Sequence, residues 1–336
     1  MESALSTAVV RAEHIAEHVL FPTATEIDLG TAELAPRLDV LAKGGFYGLA
    51  GPVDAGGLGL DLDSACRVIE LFSGACLTTT LVWMQNNATV LALSYGDNAH
   101  ARDRWLARLC SGEQRSGIAL SGARLGANRV RAQRTSDGYL LHGSVDWVTG
   151  WGLIDLLRVA AIDEGGRVVS ALVDTPAVPS VVATPLEMEA VARSRTVRLT
   201  FDGHFVPDDR VLAVRSVAGP VEPDIWTTRV NTALRLGLAA RAVALAEDKV
   251  QRDQIEDLRV RSRSADVAAV RDAGVAAVDL ALRASGCLFV AGGSRSMLAG
   301  STAGRLAREA LFLSVFGSSP AGRTENTRLW RGQKKC

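Results

Sequence analysis

Side chains that could bind a metal or attack a substrate are scattered along this sequence. The five cysteines include no CxxC pair, and the five histidines do not cluster with them. A structural zinc site or a disulfide frame needs such residues at short, regular spacings. The cysteines are Cys66, Cys76, Cys110, Cys287 and Cys336. We therefore predict no metal site, and we expect reduced cysteines in a cytoplasmic protein.

Motifs of several other catalytic classes are absent. The sequence has no Gly-x-Ser-x-Gly segment and no Gly-x₄-Gly-Lys-Ser/Thr segment, which mark nucleophilic hydrolases and phosphate-binding loops. The glycine-rich run 51–59 is not bracketed by a strand–helix–strand unit, as a dinucleotide fold requires. These absences leave no rival chemistry in the sequence.

The charge balance argues against nucleic acid and membrane partners. Lys plus Arg equals Asp plus Glu at 37 each, so no net positive charge attracts phosphates or anionic lipids. No stretch reaches 18 consecutive apolar residues, so we predict no membrane span. A chain of 336 residues is long enough for two or three domains.

The first third of the chain has the apolar spacing of helices. Apolar residues recur every three or four positions up to about residue 113. We predict helices over 4–20, ended by Pro22, and over 32–43, 78–94 and 98–109. The helix at 78–94 is apolar nearly all round, so we expect it to be buried.

The pattern then changes to short strands. From 116 to 212 the sequence alternates, is rich in Val and Thr, and contains turn residues at 136–138 and 163–166. We expect one compact β barrel or sandwich.

Helical spacing returns after the strands. We predict helices over 224–249, 266–290 and 302–316, with the charged stretch 251–263 interrupting the first two. The order along the chain is therefore helices, strands, helices.

Five local segments, in order along the chain, resemble segments of one known protein family. They resemble a strand and glycine-rich loop, a helix entering a β domain, a Trp-x-Thr segment, a strand ending in Val-Pro, and a Gly-Gly helix pair of the acyl-CoA dehydrogenase family. The segments are FYGL at 46–49 with GGLGL at 56–60, residues 98–113, LHGSVDWVTG at 141–150, FDGHFVP at 201–207, and residues 292–309.

The resemblance implies an α+β, acyl-CoA-dehydrogenase-like fold. Its parts would be an N-terminal helical domain at 1–115, a middle β barrel at 116–215 and a shortened C-terminal helical bundle at 220–336. The resemblance also implies an acyl thioester substrate, carried by coenzyme A or a carrier protein, and a homodimer or tetramer.

The resemblance further implies a site for flavin adenine dinucleotide (FAD). Trp147 would pack on the isoalloxazine ring, and Thr149 would bond the polar edge near its reactive nitrogen. Ser121 and the backbone of Leu120 would bind the pyrimidine end. The alternative for Trp147 is an ordinary core residue of the β domain.

Two further cofactor contacts are implied in the C-terminal region. Gly293 would let a neighbouring subunit's FAD approach the backbone closely, and Ser319 would lie beside the cofactor. A helix C-cap is an equal alternative for the glycine pair Gly292 and Gly293.

The catalytic residues depart from the family pattern. The family removes an α-proton with a Glu, and the corresponding position here is Gly317. Some members carry the Glu on the first C-terminal helix, where this chain has Thr228 followed by Arg229. Asp224 is the nearest replacement carboxylate, although a helix N-cap is the favoured reading of this residue.

The phosphate-binding segments depart as well. The family's Arg-x-x-Phe-Gly segment, which meets a neighbour's pyrophosphate, has no counterpart between 247 and 266. The loop 122–127 replaces an acidic phosphate-gripping pattern, and Arg124 is a candidate compensating contact.

These departures leave three hypotheses. The first is a flavin oxidoreductase acting on an acyl thioester with a non-standard or missing base, or a flavin monooxygenase of the same fold. The second is a catalytically silent subunit that pairs with a homologous, complete dehydrogenase. The third is a thioester-binding module without redox chemistry.

Overall fold

The computed structural model confirms the predicted order of helices, strands and helices. It describes residues 2–123, 129–175, 178–216 and 224–317, with the short pieces 323–324, 327–328 and 330–331. Within these ranges the chain forms an N-terminal group of helices, a middle sheet and a C-terminal group of helices.

The α-helices are numbered in chain order. They are α1 Glu2–Ile15, α2 Phe21–Leu29, α3 Ala35–Lys43, α4 Leu62–Ala75, α5 Leu77–Ser94, α6 Ala99–Ser111, α7 Ile225–Ala246, α8 Lys249–Ser262, α9 Val267–Ala291 and α10 Thr302–Val315.

The strands are numbered likewise. They are β1 Ser116–Ala119, β2 Val130–Arg134, β3 Gly138–Val148, β4 Leu156–Asp163, β5 Arg167–Asp174, β6 Val181–Pro185, β7 Val197–Pro207 and β8 Val211–Ser216.

Two local predictions for the N-terminal helices are wrong. Pro22 does not end the first helix: a π-helical turn at Ala16–Leu20 leads directly into α2, and Pro22 occupies the first turn of α2. Proline is tolerated there because the first N–H groups of a helix have no partner within it. The expected strand at 46–49 is a 3₁₀ turn, Phe46–Gly48.

The middle sheet surrounds one apolar core. Its strand order is β6-β7-β3-β2-β4-β5-β8, with β1 paired to β4. The inward residues of these strands form a single cluster. In the part of the chain that the structure describes, no ladder joins β6 to β8. The predicted barrel is therefore a sheet that does not close into a full ring.

The charged stretch predicted to interrupt the C-terminal helices is itself a helix, α8. The Asp248 carboxylate caps it by accepting a hydrogen bond from the Gln251 backbone N–H at 3.0 Å. Only Ile255 and Leu258 are buried along its length. Two buried apolar residues are too few to produce a helical pattern in the sequence. The helix is stabilised instead by its N-cap and by tertiary packing.

Helix α9 is apolar enough to resemble a membrane span. By length and composition it is the one such helix among the described residues, and half of its most apolar window is buried inside the protein. Internal packing against α7 and α10 accounts for that half.

Helices α4 and α7 cross with their backbones in direct contact. A Cβ atom added at Gly237 would stand 2.1 Å from the Glu70 carbonyl oxygen, and one at Gly74 would stand 2.6 Å from the Gly237 carbonyl oxygen. The Ser73 hydroxyl donates to the Leu234 carbonyl oxygen at 2.5 Å across the same crossing. The first and last thirds of the chain therefore share one helical core.

Replacing Gly237 by alanine should separate these two helices. We expect Gly237→Ala to lower the free energy of unfolding by about 1 to 3 kcal/mol, because the added methyl group overlaps backbone that cannot rotate away. Urea unfolding followed by circular dichroism measures this change.

Gly286 in α9 is the matched control. A Cβ atom there meets no atom within 4 Å, so Gly286→Ala should raise the free energy of unfolding by about 0.5 to 1 kcal/mol through helix propensity. Equal effects of the two substitutions would show that the crossing is not tightly packed.

Candidate functional site

Trp147 stands on a bulge at the end of β3. The β3–β7 ladder shifts register between Val145 and Val148, so Trp147 lies in the irregular part of the strand. Its φ angle is +68°, a conformation that non-glycine residues rarely adopt. The bulge turns the indole outward and leaves 63% of the residue exposed.

A chain of hydroxyl groups supports the segment that follows the bulge. The hydroxyls of Thr149 and Thr196 are 3.2 Å apart, and those of Thr196 and Ser194 are 2.7 Å apart. Ser194 and Thr196 are buried, whereas Thr149 is half-buried. A hydroxyl has one donor and two acceptor positions. Thr149 therefore retains hydrogen-bonding capacity beyond its contact with Thr196.

The end of β1 runs beside this segment. Ser121, in the 3₁₀ turn Leu120–Ala123, donates its hydroxyl to the Asp146 carbonyl oxygen at 3.2 Å. At the start of β1, a Cβ atom on Gly117 would lie 3.3 Å from the Thr149 carbonyl oxygen. The structure thus brings together the four residues predicted for the cofactor in the β domain, namely Leu120, Ser121, Trp147 and Thr149.

An ion pair secures the base of the bulge. Arg198 on β7 donates hydrogen bonds from Nε and Nη2 to the Asp146 carboxylate, with Nη2 3.2 Å from Oδ2. Asp146 is the residue whose carbonyl oxygen accepts from Ser121. Arg198 and Thr196 escaped the sequence analysis because they lie about fifty residues from Trp147, and only the strand pairing joins them.

Gly317 lies just beyond α10 and against α7. Its φ angle is +60°, in the left-handed region. A Cβ atom added there would stand 2.8 Å from the Asn231 amide nitrogen. Asn231, which the sequence analysis did not single out, must therefore shift to make room for a side chain at position 317.

Asp224 is the N-cap of α7. Its Oδ1 accepts a hydrogen bond from the Thr227 backbone N–H at 2.7 Å. Its carbonyl oxygen accepts from the Thr228 hydroxyl at 2.9 Å. Both groups are engaged in starting the helix, and the carboxylate is exposed.

The predicted contacts in the C-terminal region are separate from the Trp147 bulge. Gly293 is exposed, with a φ angle of +56° and nothing within 4 Å of an added Cβ atom. Its backbone is therefore open to close approach. Ser319 and Arg124, also named as candidate contacts, lie outside the described residues.

Within the described ranges, no group of three or more His, Cys, Asp or Glu side chains could hold a metal ion. The chemistry available at the bulge is thus an exposed aromatic surface next to a fixed hydroxyl and backbone polar groups. Such a combination suits a planar, heteroaromatic ligand with polar edges.

Sequence comparison relates the chain to one family. Residues 7–113 match the family model for the acyl-CoA dehydrogenase N-terminal domain. The chain is 25% identical over 242 residues to the mitochondrial short-chain specific acyl-CoA dehydrogenase of Bos taurus, covering 69% of this chain and 57% of that protein. The human protein of the same name is 27% identical over 247 residues, with the same coverage. The chain thus spans little more than half the length of these relatives.

Structural comparison gives the same fold over the whole chain. Butyryl-CoA dehydrogenase from Megasphaera elsdenii matches with a TM-score of 0.80 and 17% identity, covering 98% of this chain and 99% of that one. At this identity the likeness establishes the fold alone.

A glutamate at position 317 should not fit this backbone. We expect Gly317→Glu to lower the free energy of unfolding by about 1 to 2 kcal/mol from the left-handed φ alone, and further because the side chain displaces Asn231. Thermal and urea unfolding of the variant measure the loss.

The double variant Gly317→Glu with Asn231→Ala separates the two causes. The double variant should recover the part of the stability loss that comes from displacing the Asn231 amide. It should keep the part of the loss that comes from the left-handed φ angle. Wild-type stability for the single variant would contradict the described geometry.

Proposed function

Since residues 7–113 match the acyl-CoA dehydrogenase N-terminal domain and the chain is similar to acyl-CoA dehydrogenases, we propose that it belongs to this family and is a flavin-dependent oxidoreductase that acts on an acyl thioester. The acyl group would be carried by coenzyme A or by a carrier protein. The observation that carries the proposal is the exposed Trp147 on its bulge, beside the supported hydroxyl of Thr149. We further propose that the protein acts in the cytoplasm.

The residues at the bulge fit FAD. Trp147 would cover one face of the isoalloxazine ring, a contact worth about 1 kcal/mol beyond area burial. The Thr149 hydroxyl would bond the polar edge of the ring. Leu120 and Ser121 would hold the pyrimidine end through backbone and hydroxyl groups. When bound, FAD would supply the hydride acceptor for oxidation of the substrate.

Oligomerisation is part of the proposal. Exposed apolar side chains gather on the C-terminal helices and the turn between them, where they would be covered in a homodimer or tetramer. They are Val290, Met297, Leu298, Leu311 and Val315. Gly293 lies in the same region, and we propose that it and Ser319 approach the FAD of a neighbouring subunit.

The family's base position argues for non-standard chemistry. Gly317 has no side chain to accept a proton, and Asn231 stands beside it. Asp224 caps a helix, and Thr228 bonds the preceding turn. The protein would therefore dehydrogenate saturated thioesters slowly. The loss of a general base costs a factor of roughly 10² to 10⁴ in rate.

A second candidate function follows from the same observation. A chain without a base could serve as a catalytically silent subunit that pairs with a complete, homologous dehydrogenase. A flavin monooxygenase of the same fold is a further alternative, because oxygen activation at reduced flavin needs no base at position 317. Co-purification with a homologous chain would favour the silent subunit.

Truncating Trp147 should weaken FAD binding. We expect Trp147→Ala to raise the Kd for FAD about five- to tenfold, because about 1 kcal/mol of aromatic contact is lost together with apolar area. Titration of the flavin-free protein with FAD, followed by flavin fluorescence, measures Kd.

Tyr95 provides the control, because it is 80% exposed and is distant in sequence from the bulge. Tyr95→Ala should leave the Kd for FAD unchanged. If wild-type protein bound no FAD, or if Trp147→Ala bound it equally well, the proposed cofactor site would be wrong.

Restoring a carboxylate should accelerate dehydrogenation. We expect FAD-loaded wild-type protein mixed anaerobically with butyryl-CoA to lose its flavin absorbance slowly. The double variant Gly317→Glu with Asn231→Ala should lose it at least about tenfold faster, because a general base contributes roughly 10² to 10⁴ when ideally placed.

The double variant Gly317→Gln with Asn231→Ala is the matched control, since it has the same shape and cannot take the proton. Equal rates in the Glu and Gln variants would contradict the assignment of position 317. Rapid loss of absorbance in the wild type would show that another residue of this chain supplies the base.

A further inference from the structure

Helices α4, α7 and α8 line a cavity of about 220 Å³ that is open to solvent on one side. On α7 its lining residues are Arg229, Ala233 and Leu236, whose spacing places them on one face of the helix. Asn231, which faces Gly317, lies two residues from Arg229 and so points to a different side of α7. The cavity therefore lies on another side of α7 from Gly317.

The inner wall of the cavity is apolar. Ala233 and Leu236 are both buried. Cys66 on α4 completes this wall. Burial raises the pKa of the Cys66 thiol to about 12, so the thiol is uncharged near neutral pH and contributes a third apolar surface.

Two of the cations around the cavity are already paired. The buried Glu70 carboxylate accepts hydrogen bonds from Arg67 Nη1 and Arg259 Nε, both at 2.8 Å. Arg259 is bonded to Glu256 as well. One side of the cavity is therefore formed by a network in which two arginines are paired with two glutamates.

The other two cations retain binding capacity. Arg229 is 9% exposed and bonds Asp63 through Nη2, while its buried Nε has no hydrogen-bond partner. Arg263 has no ion-pair partner among the described residues. Arg263 is exposed and lines the cavity, so its charge is available to a ligand.

We propose that this cavity binds a short-chain carboxylate. Its carboxylate group would pair with the guanidinium groups of Arg229 and Arg263, and its aliphatic chain would lie on Cys66, Ala233 and Leu236. A water molecule in the liquid takes about 30 Å³, so the cavity has room for an acid of about four carbons. This inference is independent of the proposed flavin chemistry.

Butyrate is the probe for this site. Titration of the purified protein with butyrate, followed by isothermal calorimetry, should show one binding site per chain. Arg263→Gln should weaken binding about fivefold, because the substitution removes an ion pair between Arg263 and the butyrate carboxylate that is exposed to solvent. Ala233→Leu should weaken it more than tenfold by filling the cavity.

Arg261→Gln is the matched control. Arg261 lies in the last turn of α8, two residues before the C-cap Arg263, contacts Asp257 at 3.4 Å and does not line the cavity. Its substitution should leave butyrate affinity unchanged. Thermal unfolding of Ala233→Leu checks that the variant is folded, and the exposed Arg263→Gln gives a test that does not depend on repacking.

Three outcomes would overturn the assignment. The first is no butyrate binding at millimolar concentration. The second is equal loss of affinity in Arg261→Gln and Arg263→Gln, which would indicate non-specific charge attraction. The third is displacement of butyrate by inorganic phosphate at an equal concentration. Equal affinity for the two anions would show that the apolar wall plays no part in recognition.

Discussion

The backbone contact between α4 and α7 is the constraint on which the rest of the molecule depends. Gly74 and Gly237 let two helices from the first and last thirds of the sequence approach until carbonyl oxygens fill the space of missing side chains. Arg241 extends the contact by donating from Nε to the Gly74 carbonyl oxygen at 3.0 Å. Because α7 is held close against α4, α9 and α10 can pack against α7 as well.

The position of α7 then determines two separate regions. One side of the helix carries Asn231 against Gly317, at the end of α10. Another side carries Arg229 and Ala233 into the cavity that α8 closes. A single helix thus faces Gly317 on one side and a charged cavity on another, and a change at one need not disturb the other.

The bulge at Trp147 is a second constrained feature of the structure, and its constraint is backbone strain. A non-glycine residue at φ +68° is strained, and strain of this kind persists only where the surroundings hold it. Here the Asp146–Arg198 ion pair and the hydroxyl chain from Ser194 to Thr149 hold the flanking residues. An exposed tryptophan maintained at the cost of backbone strain is more readily explained by ligand binding than by stability.

Much of the fold could be read from the sequence. Helical spacing, the change to alternation near residue 116 and the return to helix near 224 determined the order of elements, because each pattern reflects which face of a helix or strand is buried. The pattern failed at α8, where only Ile255 and Leu258 are buried, and at Pro22, which a helix tolerates in its first turn.

The site was only partly determined by the sequence. The Trp-x-Thr segment pointed to Trp147 and Thr149, but its supporting partners Thr196 and Arg198 come from another strand. Likewise, the sequence predicts that Gly317 stands where related proteins carry a carboxylate, whereas the contact between Gly317 and Asn231 depends on how α10 meets α7. Sequence patterns report on local burial, and contacts between distant segments are decided by packing, which only the tertiary structure reveals.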